Sequence, residues 1–235
     1  MVNARSSLRS SHLMSPSIGG QTNELFVCRS CQTLRNLMQM SASILKALEL
    51  VIWIERSLHD LSLPSSDRTK ISAACFATAL EHHHAIVILL RERLNGSAFA
   101  LVRSEYEAYV RGVWLAKCAT DEQLNSFLSG GEPPRLCKIL CAIEAMPRFD
   151  SKMLSGVKAE NWKSMCAYTH TGDLQVQRWI ASDAIESRHS PEEIEEVLGF
   201  TNAFALLAAC GVATLAESES LEAQLWEKSR EIAKE

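Results

Sequence analysis

The chain is poor in residues that break regular structure. Only 10 glycines and 6 prolines occur in 235 residues, which leaves little material for turns and predicts few, long elements. Basic residues are not in excess: 24 Lys and Arg stand against 28 Asp and Glu, for a net charge of −4 and a pI near 6.0. That balance excludes broad, non-specific nucleic-acid binding, although a local basic patch remains compatible with it. The longest uninterrupted apolar run, Ala203 to Ala213, is too short to span a bilayer. The N-terminus has arginines and serines but no continuous apolar stretch of the kind a signal peptide needs. The expectation is a cytoplasmic protein with no membrane association. Phosphate-loop, nucleophile-elbow and dinucleotide-binding patterns are missing too, which weakens the common enzyme classes built on them.

What is present is ordinary for a globular chain: 47% hydrophobic and 22% charged residues, in a length that can bury a sizeable core. Eight cysteines (28, 31, 75, 118, 137, 141, 166 and 210) are scattered, mostly among apolar residues. The pattern suits reduced thiols rather than a disulfide framework. Cys28 and Cys31 form a CxxC, but no second CxxC or HxxxH accompanies it, so neither a metal nor any other cofactor is expected.

Residues 1–22 are rich in Ser, Arg and Gly without apolar periodicity and read as a disordered head; 23–235 read as a single all-helical domain. Helices are predicted at about 23–62, 67–94, 97–117, 121–128, 135–145, 158–170, 190–216 and 219–234. Ser66 caps the second. Asn95-Gly96 separates the second from the third, and Gly172 closes the 158–170 helix as the residue after its C-cap. Ser190-Pro191-Glu192-Glu193 is a strong helix start, with Ser as N-cap, Pro at the first position and Glu at the third. A loop is predicted at 147–157, and no strand of useful length or internal repeat is visible. The fold class is all-α, an antiparallel helical bundle.

Three groups of residues could carry chemistry. In SAFALVRSEYEAYVRGVWLAK, helical spacing puts Arg103 beside Phe99, Val110 and Trp114, with Glu107 and then Arg111 at successive i+4 positions. Charges inside an aromatic stripe are costly unless paired, so Arg103 and Glu107 form either a buried strut or the wall of a polar pocket. Gly112, mid-helix, is expected where another element approaches closely. In Glu81-His82-His83-His84, consecutive side chains diverge by about 100° and cannot all ligate one ion. Glu81 can pair with His84, and His82 or His84 can face inward, either as a satisfied core histidine or as part of a polar site. In WKSMCAYTHTG, Lys163 and His170 share a helical face, with Tyr168 between them. His170 is either a cap at its helix end or a proton acceptor beside a phosphate-holding lysine.

From Ile44 to Ala216 the stretches EHHHAI, GSAFALVRSEYEAYVRGVWL and WKSMCAYTHTGDLQV resemble an uncharacterised family of bacterial all-helical proteins, itself similar to the wider HEPN-like group. The likeness covers roughly three-quarters of the chain. HEPN-like domains are helical bundles, commonly dimeric, and many cleave RNA in bacterial conflict. Their motif is Arg, four to six residues, then His on one helix. Here the literal match, Arg5 to His12, falls in the head and reads as chance. The nearest placed equivalent is Lys163 to His170, with Lys lacking arginine's bidentate fork, and Arg103 or Arg111 could supply a guanidinium from the neighbouring helix. The resemblance implies a homodimer acting on RNA or a nucleotide, a metal-independent ribonuclease or toxin in defence or toxin–antitoxin systems, with a protein antitoxin or regulator as partner. The alternative is a non-catalytic binding or regulatory module. The candidate catalytic residues are His170, Lys163, Arg103 and Arg111; the candidate binding residues are Glu107, Glu81, His82, His84 and Tyr168.

Overall fold

The structure is a computed structural model that describes residues 42–180 and 184–233. The expected head, the Cys28–Cys31 pair, the Arg5–His12 match and the first part of the 23–62 helix lie outside the described residues. Among the described residues the regular elements are α1 (Ala42–Leu58), α2 (Asp67–Arg91), α3 (Asn95–Lys117), α4 (Asp121–Leu128), α5 (Leu136–Glu144), a 3-10 turn (Pro147–Phe149), α6 (Met153–Thr169), α7 (Asp173–Gln177), α8 (Pro191–Leu215) and α9 (Glu219–Ile232). The single bridge, Ile180 with Ile185, forms no strand.

Helix starts follow the side-chain chemistry of the sequence. The Ser66 hydroxyl accepts from the Thr69 amide, and Ser190 and Glu193 form a reciprocal capping box with Pro191 in the first turn. Thr120 and Gln123 do the same for α4.

Two helix ends differ from expectation for one reason. α2 stops at Arg91, and Arg93 takes the left-handed conformation at φ 56°. The Leu94 amide then bonds back to Leu89 O at 2.8 Å, so a Schellman closure forms without glycine. Asn95 and Gly96 lie inside α3 rather than between helices. At the end of α6 the left-handed residue is Thr171, φ 53°, not Gly172. Gly172 donates to Ala167 O at 2.6 Å, and a Cβ on it would meet Ala167 Cα at 3.0 Å. Close approach, not positive φ, is what calls for glycine there. The 147–157 loop is also shorter than expected, since α6 begins at Met153.

α3 is the central helix. α2 runs antiparallel to it, with Phe76 beside Tyr109 and Ile86 clustered with Phe99, and α8 completes the core through Phe204, edge-on to Tyr106 and Tyr109. The Phe76 ring lies between two glycines: a Cβ on Gly112 would fall 2.6 Å from Phe76 Cε1, and one on Gly211 2.6 Å from Cζ. The close approach expected at Gly112 is therefore made by an aromatic ring. α1 and α9 cover α8 through Leu50, Ile54, Ala209 and Leu225. Arg68 donates to Leu115 O at 2.7 Å and Ala119 O at 2.8 Å, satisfying carbonyls that the end of α3 leaves open. By length and average hydropathy alone α2 and α8 would each suffice to cross a membrane, which the uninterrupted-run criterion did not reveal. In this fold both pack against α3 and contribute to its buried core.

Candidate functional site

α3 and α6 cross so that Arg103 faces Trp162, Cys166 and His170, with Glu107 and Arg111 following along α3. Glu107 accepts from Arg103 Nε at 2.7 Å through one oxygen and from an Arg111 terminal nitrogen at 2.5 Å through the other. Side-chain exposure is 21% for Arg103, 13% for Glu107 and 36% for Arg111, so the pair expected from the i,i+4 spacing forms at the rim of the core. The Arg103 guanidinium also stacks 4.4 Å from the Trp162 ring centroid. A terminal nitrogen of the same group lies 3.6 Å from Cys166 Sγ and 2.8 Å from His170 Nε2.

Arginine offers only donors, so in this contact Nε2 is the accepting atom. The corner thus holds two guanidinium groups, one carboxylate and an exposed histidine. Lys158 Nζ adds a third cation 5.0 Å from the Trp162 ring centroid. Such a group can hold an anion and accept a proton beside it.

The other expected residues are not brought to this corner. Lys163 is exposed and has no hydrogen bond or ion pair among the described residues; the lysine over Trp162 is Lys158. Tyr168 is buried, stacked 5.0 Å from Phe99 and 6.0 Å from His189. Burial raises its hydroxyl above the ordinary range, against the opposing pull of Arg178. Glu81 is exposed, and the pairing expected between Glu81 and His84 is not made. His84 Nδ1 instead reaches Glu55 of α1 at 3.2 Å. His82 is half-buried, its pKa lowered by burial against Glu81. The histidine that turns fully inward is His83, 1% exposed, whose Nε2 lies 3.0 Å from Asn202 Oδ1.

Sequence reasoning also passed over Glu105. It is 0% exposed and accepts from the Thr201 hydroxyl, with its other oxygen unpartnered. Burial drives its pKa well above the usual carboxyl value, only partly offset by Thr201. The signal was present: Ala98, Val102, Glu105, Tyr109 and Gly112 repeat at the three–four spacing of a buried helical face. Among the described residues no three His, Cys, Asp or Glu side chains converge as metal ligands.

A family of unknown function, DUF6988, matches residues 76–234. The chain belongs to that family. The DUF6988 region takes in the whole of α3 and α6, and so every residue of the charged corner, and leaves α1 outside it. No curated protein and no solved structure matches the chain.

Proposed function

We propose that the Arg103–His170 corner binds a phosphate ester of RNA or of a nucleotide and cleaves it without metal. In this reading the chain is a cytoplasmic, dimeric, HEPN-like ribonuclease or nucleotide-acting toxin, held in check by a protein antitoxin or regulator. The supporting observation is the 2.8 Å approach of the Arg103 guanidinium to His170 Nε2, which sets a cation beside a group able to accept a proton. Arg111 and the outer edge of Arg103 would take the phosphate. His170, released from Arg103 as the anion arrives, would take the proton of the attacking 2′-hydroxyl as its oxygen bonds to phosphorus and return it to the departing 5′-oxygen as that P–O bond breaks, while the guanidinia stabilise the developing charge. Trp162, under Arg103, keeps the guanidinium plane fixed.

The test is cleavage of a labelled RNA oligonucleotide in excess EDTA by the wild type, His170→Ala and Arg103→Gln. Loss of cleavage in both variants, with melting temperature nearly unchanged in His170→Ala, is the expected result. Cleavage that persists in His170→Ala would remove the assignment. A second reading, a non-catalytic binding or regulatory module, is favoured by one feature. Glu107 already engages both arginines, an arrangement that also suits a fixed recognition surface. Saturable nucleotide binding without turnover by the wild type would select it.

A further inference from the structure

A cavity of about 360 Å³ opens toward the far end of α3, its lining from Tyr109 to Lys117 lying about 9–21 Å along the helix from Arg103 at 1.5 Å per residue. Its floor is Phe76, Tyr109 and Leu154, all buried, and the glycine pair that admits the Phe76 ring shapes it. Its wall includes Leu207 and Cys210 of α8. Burial pushes the Cys210 thiol up to about 11, with Glu222 adding to the rise and Arg148 opposing it, so it lines the cavity as a neutral, weakly polar group.

The mouth is different. Met153 and Trp226 stand there 36% and 46% exposed, two large apolar side chains side by side with the apolar lining. Lys117 and Arg148 are exposed beside them. Lys117 has no ion pair among the described residues, and Arg148 reaches Glu222 only at 4.0 Å. Glu222 is meanwhile held by the Thr214 hydroxyl at 2.6 Å. The rim therefore carries two cations against one tethered carboxylate.

We propose that this cavity binds a medium-chain amphiphilic carboxylate, its apolar body on Phe76, Tyr109 and Leu207 and its head between Lys117 and Arg148. A cavity of about 150 Å³ holds one benzene, so this one takes roughly a dozen carbon atoms. An apolar cleft with a few convergent polar groups is the usual form of a small-molecule site. The site shares no residue with the Arg103–His170 corner, so neither proposal depends on the other.

Calorimetric titration of the full chain with decanoate, decanol and decyltrimethylammonium, each below its micellar concentration, tests the assignment. Decanoate should bind once per chain, with decanol about three- to fivefold weaker, as a partly exposed charge contact allows. The ammonium should be weakest. Lys117→Glu should bring decanoate down to the level of decanol and leave decanol unchanged. Leu207→Trp should fill the cavity and abolish binding of both. Absence of saturable binding, several equivalents per chain, preference for the ammonium, or decanoate binding indifferent to Lys117→Glu would each overturn the proposal. The Lys117 variant, at an exposed position, keeps the test decisive even where Leu207→Trp fails to fold.

Discussion

Glu105 and Glu107 stand two residues apart on α3, so helical geometry turns them about 200° from one another and onto opposite faces. Glu105 faces α8. It is 0% exposed, and its one hydrogen-bond partner among the described residues is Thr201, so the cost of burying a charge falls on its proton equilibrium and the acid form is favoured. Glu107 lies at the rim, 13% exposed, with each carboxylate oxygen accepting from one guanidinium. The same side chain is a buried strut with one hydroxyl partner on one face and the shared acceptor of two guanidinia on the other. Partner and depth decide the difference, not residue type.

The largest test of the interior face is His83, which shares the α2–α8 seam. Burial lowers its pKa to about 4, with Asn202 pulling it up and His84 down. The unfolded chain takes up this proton near pH 6.5 and the folded chain only near 4. The His83 contribution is therefore complete above about pH 6.5 and is lost as pH falls toward 4, by about 3 kcal/mol. Glu105 has the opposite sign: its contribution is complete below the ordinary carboxyl pKa and is lost as pH rises through the folded value. The two must be separated by difference. Urea denaturation of the wild type and of His83→Gln, whose amide can still donate to Asn202, should show the wild type losing about 3 kcal/mol relative to the variant between pH 6.5 and pH 4. Parallel curves would mean that His83 takes up its proton equally in both states.

On the rim face the corresponding test is Glu107→Ala. It leaves two half-buried guanidinia without their shared carboxylate and should cost about 2–3 kcal/mol at pH 7, below the range for a fully buried pair because all three groups keep some solvent. A loss under about 0.5 kcal/mol would place the trio among ordinary surface ion pairs and dissolve the contrast with Glu105.

A smaller effect is expected for Glu105→Gln, which keeps shape and hydrogen-bonding capacity. At low pH it should change stability by about 1 kcal/mol or less, since burial favours the acid form that the amide mimics. The variant should then gain on the wild type as pH rises, because only the wild type has a proton to lose. Stability difference against pH is the measurement, and a flat line would show that Glu105 is not held in its acid form.

How far the sequence could be read follows the same division. The all-helical class, the Ser66 and Ser190 caps and the Arg103–Glu107 pair were legible because each depends on residues within four positions of one another. Glu105 with Thr201 and His83 with Asn202 join positions 96 and 119 residues apart, and no local pattern names the partner. The ends of α2 and α6 were misplaced because Arg93 and Thr171 take a conformation that composition assigns to glycine. The cavity was invisible for a related reason. It is made by where small residues let a ring settle, not by a motif.

The smallest effect separates two lysines. Seven residues bring Lys163 back to the azimuth of His170, but it is exposed and makes no hydrogen bond, ion pair or ring contact among the described residues. Lys158 is the lysine that meets Trp162, on whose ring Arg103 also lies. Lys158→Ala should therefore lower stability by about 0.5–1 kcal/mol through the lost cation–π contact, whereas Lys163→Ala should fall within about 0.5 kcal/mol of the wild type. Lys158→Ala should also weaken binding of a mononucleotide at the corner more than Lys163→Ala does, and both effects should shrink with added salt. Paired melting and binding measurements on the two variants decide it. If Lys163→Ala proved the more damaging to nucleotide binding, the phosphate would lie beside α6 near Lys163, and the corner around Arg103 would revert to a structural pair.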